Sequence, residues 1–264
     1  MLLILFAVYS PDETLPHRIL EYVKELCSLP GEKLIKVITS TPSHIRHSEW
    51  PLNVELVLDK NEGLDFGLWF RYINRMDDPK LATYSSVLLV NDSCTVTGSL
   101  VPMWMRMNSS EFWGVTDSYE KGVHHLQSYF LVFNNDAVSA LSQFISTSLS
   151  TEGFSKEKII KAREVAISQF MIRNRGFNIN AAFPYKSIKN SLGIGFLKSK
   201  NSSLSSFDQL QVMGCKLLKR TRENRKEVWK INIIILVVVF LTTLSIIGTT
   251  LKHKRQTIPQ TNSV

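Results

Sequence analysis

Four apolar residues in a row, Val87-Leu88-Leu89-Val90, run without a break into Asn91-Asp92-Ser93, and no other segment constrains the fold of this chain as tightly. A strand covered by helices on both faces reads as a continuous apolar run, and ligands of open α/β sheets bind beyond the carboxyl ends of such strands. Asn91 and Asp92 then stand at the rim of a site. The same residues also suit a turn that merely caps the strand, because Asn, Asp and Ser hydrogen-bond their own backbone.

The surrounding segments favour an α/β sheet. Leu2 to Tyr9, Lys33 to Thr39 and Val54 to Leu58 read as strands, with the amphipathic stretch Leu15 to Leu29 between the first two. Such alternation predicts βαβ units and a mostly parallel sheet with flanking helices. Further on, Phe66 to Arg75, Leu100 to Met107, Ala137 to Thr147 and Lys156 to Arg175 carry helical periodicity, the last stopping at Gly176. Glu111 to Val115 and Tyr129 to Phe133 read as short strands. From Lys186 to Gln211 the chain turns rich in Ser, Asn, Lys and Gly, which predicts a loosely packed connection.

The net charge of +8 is concentrated in Lys216, Lys219, Arg220, Arg222, Arg225, Lys226 and Lys230. These abut Ile231 to Leu251, a run without a charged residue and of about the 20 residues that a helix needs to cross a bilayer. The run is read as a transmembrane helix. Only Lys252, Lys254 and Arg255 follow it, so the positive-inside rule puts the large N-terminal part in the cytoplasm and leaves a short polar tail on the far side. Anionic lipid headgroups account for the basic cluster, and no nucleic-acid motif accompanies it. The opening MLLILFAVYS lacks a basic leader and a cleavage pattern and is read as the first buried strand. Cys27, Cys94 and Cys215, far apart and odd in number, suit reduced cytosolic thiols, and the sequons at Asn91 and Asn108 have no use in that compartment.

Three constellations carry chemistry. Asn61-Glu62-Gly63-Leu64-Asp65-Phe66-Gly67 leaves a strand and opens a helix, where glycines admit a ligand and Asn61 and Asp65 can hydrogen-bond a base or ribose. It is neither a Walker loop nor a G-x-G-x-x-G, and taken alone it reads first as a glycine-rich turn with Asp65 as helix N-cap. Phe112-Trp113-Gly114-Val115-Thr116-Asp117-Ser118 starts apolar and breaks into polar residues, and with His125 and Gln127 could line a sugar site. His124 and His125 are adjacent, point apart on a strand and make a poor metal pair, and His44 and His47 stand beside Pro42 with no cysteine near. Glu164 is a lone carboxylate on an apolar helical face, suited to a general base or to simple surface exposure.

Taken in order, N-E-G-L-D-F-G at 61–67, V-L-L-V-N-D-S at 87–93, F-W-G-V-T-D-S at 112–118, H-L-Q-S-Y-F-L-V-F at 125–133, and E-V-A-I-S-Q with R-G-F-N-I-N-A-A-F-P-Y at 164–185 resemble the rhamnan synthesis protein F family, over roughly Leu2 to Tyr185. The resemblance implies a GT-A-like, Rossmann-like glycosyltransferase domain over residues 1–186. A basic connection follows at 187–230, then the membrane helix at 231–251 and a tail at 252–264.

It also implies roles. Asn61, Gly63 and Asp65 would bind the nucleoside of a nucleotide-diphosphate sugar, deoxythymidine-diphosphate rhamnose being favoured. Asn91, Asp92 and Ser93 would stand in the place of a D-x-D motif, with Asp92 on a divalent metal, Mg²⁺ or Mn²⁺, that neutralises the leaving diphosphate. Glu164 would be the catalytic base of an inverting transfer. Trp113, Asp117, His125 and Gln127 would shape the sugar and acceptor side, and the acceptor would be a glycan or a lipid-linked glycan at the membrane. A second expectation is an inactive member that keeps the fold as a scaffold for a glycan or a partner transferase.

Overall fold

The computed structural model describes residues 1–9, 15–41, 50–76, 78–148, 154–192 and 207–220. The apolar run 231–251 and the histidines at 44 and 47 lie outside them. Among the described residues, no helix is long and apolar enough to cross a membrane.

One eight-stranded sheet organises the unit Met1–Lys219. Strands β1 (Leu2–Val8), β2 (Lys33–Thr39), β3 (Val54–Leu58) and β4 (Ser86–Asn91) run parallel in the order β3-β2-β1-β4. Beyond β4 the sheet turns antiparallel through β8 (Phe130–Asn134) to β6 (Phe112–Ser118), which carries the two-residue β7 (His125–Leu126) and, in parallel, β9 (Asn180–Phe183). The chain moves outward from β1 to β3 and then returns to the other side of β1 to place β4. The order therefore reverses between β1 and β4, and it is at such a reversal that an open sheet leaves a crevice.

The continuous apolar runs mark strands covered on both sides. All seven residues of β1 are buried. Leu2, Ile4, Phe6 and Val8 face one layer, with Ile19, Tyr22, Val23 and Leu26 of α1 (His17–Ser28) and Trp104 of α4 (Val101–Met107). Leu3, Leu5 and Ala7 face the other, with α2 (Leu64–Asn74), α5 (Asp136–Ser146) and α7 (Ala166–Arg175). This period-2 split makes a helix-sheet-helix sandwich. A short α3 (Asp78–Leu81) precedes β4.

Three elements differ from the sequence reading. Strand β6 does not stop at Val115 but runs through Thr116, Asp117 and Ser118, all buried. Their polar character misled, because hydrogen bonds to Gln127, Tyr129, His124 and the Tyr185 and Glu120 N–H groups absorb it. The stretch from Lys156 is not one uniform α-helix: α6 (Lys156–Ile159) passes into a π-helical segment, Ile160–Val165, before α7 begins. And the connection expected to be loose packs back at both described ends. Residues Tyr185–Leu192 form α8 with Ile188 fully buried. Further on, α9 (Phe207–Val212) and β10 (Leu217–Lys219) bury Leu210, Cys215 and Leu217. Strand β10 pairs antiparallel with β5 (Cys94–Val96), which starts just past Asn91-Asp92-Ser93.

Candidate active site

Asn91 ends β4, opposite Ala7 of β1, so it stands at the reversal point on the carboxyl edge of the parallel strands. Its side chain is fully engaged. The amide nitrogen donates to Asp65 Oδ2 at 2.5 Å, while Oδ1 accepts from the Ser93 N–H at 3.1 Å and the Ser93 hydroxyl at 2.6 Å. Asp92 donates its N–H to the Ala7 carbonyl and turns its carboxylate to Arg18 of α1, 3.6 Å from Nη2. The Asn-Asp-Ser sequence thus makes a local turn and also joins three elements at the crevice.

Asp65 stands in the first turn of α2, directly after the loop that leaves β3. That loop is held from below: buried Asp59 accepts from Arg71 Nε at 3.0 Å and Arg75 Nη2 at 2.8 Å, and Arg71 also donates to the Glu62 and Lys60 carbonyls. Gly63 (φ 77°) and Leu64 (φ 57°) are both left-handed, a conformation natural for the glycine and costly for the leucine. Gly67 has a different reason to be glycine, since a Cβ there would lie 1.6 Å from the Glu62 carbonyl oxygen. Asn61 is exposed on this loop. Burial lifts the Asp65 carboxyl to about 6; the Asn91 hydrogen bond opposes that rise and the charge of Glu164 adds to it.

Glu164 lies in the π-helical segment, a distortion found frequently at functional sites. Its Oε2 accepts from the Ser128 N–H at 3.2 Å and the Ser128 hydroxyl at 2.5 Å, and its Oε1 lies 3.6 Å from His125 Nε2. His125 Nδ1 meets the Val123 carbonyl at 2.7 Å, so Nδ1 carries a proton and a proton on Nε2 makes the ring an imidazolium facing a carboxylate. The acidities agree with that pairing. Burial alone would raise Glu164, but His125 and Ser128 hold it below an ordinary glutamate. Burial alone would lower His125, but Glu164 and the Val123 carbonyl raise it.

The residues expected to face sugar are placed differently. Trp113 is fully buried against Trp104 and Phe130 and is a core residue. Asp117, His125 and Gln127 are 4%, 3% and 5% exposed, so they shape the wall from behind and do not line an open surface. Asp117 accepts from the Tyr185 N–H at 2.6 Å and meets His124 Nε2 at 2.8 Å; Gln127 Oε1 accepts from the Thr116 hydroxyl, which also meets the Tyr129 hydroxyl. Sequence reasoning missed Ser128, Arg18 and Lys219. Ser128 stands within the H-L-Q-S-Y-F-L-V-F segment, Lys219 within the basic cluster assigned to lipid, and Arg18 in a stretch with no local signal. Lys219 sits with Nζ 4.9 Å from the Tyr129 ring centroid and exerts a lowering pull on Asp65.

These residues do not fit a divalent cation. Among the described residues no group of three His, Cys, Asp or Glu side chains converges to hold one. The carboxylate of Asp92 faces a guanidinium, and Asn91 is spent on Asp65 and Ser93.

Asp65, Asn91, Asp92 and Arg18 meet at the strand-order reversal of a mixed sheet, in a protein of the α/β class. The chain belongs to the rhamnan synthesis protein F family, whose family model matches residues 44–237. The match begins later than Leu2 and continues past Tyr185, so the segment after Tyr185 is part of the family's pattern. No curated protein matches the chain.

Proposed function

We propose that the chain is a GT-A-type glycosyltransferase of rhamnan synthesis. It transfers a sugar, rhamnose, from a nucleotide-diphosphate donor to a glycan or lipid-linked glycan acceptor. The observation that carries this reading is that Asp65, held by Asn91 at the end of β4, feels the charge of Glu164. One carboxyl in the first turn of α2 and one in the π-helical segment suit a donor lying between them.

In the proposed step, the acceptor hydroxyl oxygen bonds to the anomeric carbon as the bond to the diphosphate breaks. The electron pair leaves with the diphosphate and configuration inverts. The hydroxyl proton passes to Glu164, which is ionised at neutral pH because His125 and Ser128 hold it so. Asn61, Gly63 and Asp65 bind the nucleoside. The charge of the leaving diphosphate is met by Arg18 and Lys219, in place of a metal on Asp92. The basic residues 216–230 and the apolar run 231–251 anchor the chain in a membrane with the sheet domain on the cytoplasmic side, which suits a membrane-bound acceptor.

The scaffold reading draws on one observation, that Asn91 and Asp92 are already engaged within the protein. Thermal unfolding with nucleoside diphosphates, with and without Mn²⁺, separates the alternatives, since a ligand of the folded state raises its stability. Stabilisation without Mn²⁺ is expected. A shift that needs Mn²⁺ would return the diphosphate to a metal, and no shift with any nucleotide would leave the scaffold. Glu164→Gln should abolish transfer while donor binding persists; wild-type turnover in that variant would remove Glu164 as base.

A further inference from the structure

We propose that Tyr119, His124 and Tyr185 form a saccharide subsite on the acceptor side of the crevice, taking a 6-deoxyhexose unit of the growing chain; this rests on the transferase reading above. The indole of Trp113, expected on the sugar side, has no accessible surface. The three rings at the end of β6 do. Tyr119 stacks on His124 with ring centroids 4.5 Å apart and planes 7° from parallel, and Tyr185 closes the group at 5.5 Å and 51° from Tyr119. All three are half-buried, whereas Phe112, Trp113 and Phe130 of the adjoining strands are wholly buried.

A single buried carboxylate fixes this wall. Asp117 meets His124 Nε2 at 2.8 Å with one oxygen and accepts the Tyr185 N–H at 2.6 Å with the other, which sets the rings from two separate segments against each other. Asp117 is therefore a positioning residue. The wall is also joined to the proposed base, because His124 is bonded in sequence to His125, which faces Glu164, and its carbonyl accepts from Gln169 of α7 at 3.0 Å.

The chemistry suits a deoxy sugar. An aromatic face is electron-rich and attracts the polarised C–H groups of a pyranose face. A 6-deoxyhexose carries a methyl group where a hexose has a hydroxymethyl, which widens its apolar face and removes a hydroxyl that would need a partner. A tilted third ring gives such a methyl a side wall as well as a floor.

The test uses the full chain, a rhamnose trisaccharide as probe and maltotriose as control, with binding followed by saturation-transfer NMR and titration calorimetry. The wild type should bind the rhamnose probe in preference to maltotriose. Tyr119→Ala and Tyr185→Ala should each weaken it by about tenfold, Tyr119→Phe should retain it, and thermal stabilisation by thymidine diphosphate should be unchanged in all three. His124→Gln, which keeps a donor for Asp117 but removes the ring, should weaken the probe in the same way and serves if an alanine variant fails to fold. Unchanged saccharide affinity in the ring variants, or no preference over maltotriose, would overturn the subsite. Loss of the nucleotide shift in the wild type would instead sink the transferase reading, whatever the saccharide does.

Discussion

The Asn91 amide donates to Asp65 Oδ2 and so ties the end of β4 to the first turn of α2. Two segments more than a sheet strand apart in sequence become one wall of the crevice, and the acid in that wall is raised by burial to about 6. A folded value above the ordinary 3.8 means that folding favours the protonated acid. The contribution is present below pH 3.8 and is lost as pH rises through about 6. Asp65→Asn should therefore gain on the order of 2 kcal/mol over wild type at pH 7, with almost no gain at pH 3.5. Urea unfolding at both pH values checks this; an equal gain at both would contradict it. Asparagine can still accept from Asn91, so the junction survives.

The His125–Glu164 pair has the opposite sign at each partner. Glu164 lies below its ordinary 4.5, so its contribution is present above pH 4.5 and is lost as pH falls through the lowered value. His125 lies above its ordinary 6.5, so its contribution is present below pH 6.5 and is lost as pH rises through the raised value. Between pH 4.5 and 6.5 both are in force. Glu164→Gln should cost on the order of 1–3 kcal/mol at pH 5.5 and less at pH 9. It should also move the His125 ring-proton titration downward by NMR. A titration that stays in place would dissolve the pair.

What could be read in the sequence follows from burial. Strand β1 is apolar at every position and β4 from Val87 to Val90 because helices cover both faces, so they announce themselves. The loop leading to Asp65, the turn at Asn91 and the helix bearing Glu164 were each legible as local patterns. Their union was not, since Asp65 meets Asn91 and Glu164 meets Ser128 only once the sheet has formed. Strand β6 concealed its last three residues behind polar side chains whose partners, Gln127, Tyr129, His124 and the Tyr185 and Glu120 N–H groups, lie in the segments around it. The π-helical segment around Glu164 has the composition of any helix. Trp113 was attractive as an aromatic beside polar residues, yet it lies wholly in the core, while Tyr119, just beyond the strand, is only half-buried.

Gly67 tests the architecture of the loop proposed to bind the nucleoside. Its backbone lies so close to the Glu62 carbonyl that a methyl group has no room, and the neighbouring Arg71 fixes that carbonyl with a 2.8 Å hydrogen bond. Gly67→Ala must push the loop outward or break the Arg71 clamp. A loss of about 1–3 kcal/mol is expected in spite of the better helix propensity of alanine. Nucleotide stabilisation should fall in the same variant. A gain in melting temperature would show that the loop yields freely.

Lys219 tests whether cations carry the diphosphate. It reaches the crevice through β10, whose pairing with β5 sets it opposite Cys94, and its ammonium rests over the Tyr129 ring. Replacing it with methionine keeps the aliphatic stem against the ring and removes the charge, so the fold should lose only about 0.5–1 kcal/mol of cation–π attraction. Two effects should follow from the missing charge. Asp65 loses a lowering influence and titrates higher than in the wild type. Thymidine diphosphate binds roughly tenfold more weakly while thymidine itself is unaffected, because only the diphosphate needs the charge. Arg18→Met should weaken the diphosphate likewise and should also release Asp92, so Mn²⁺ is expected to strengthen binding in that variant more than in the wild type. If both variants bind the diphosphate as the wild type does, neither cation takes the role proposed for it.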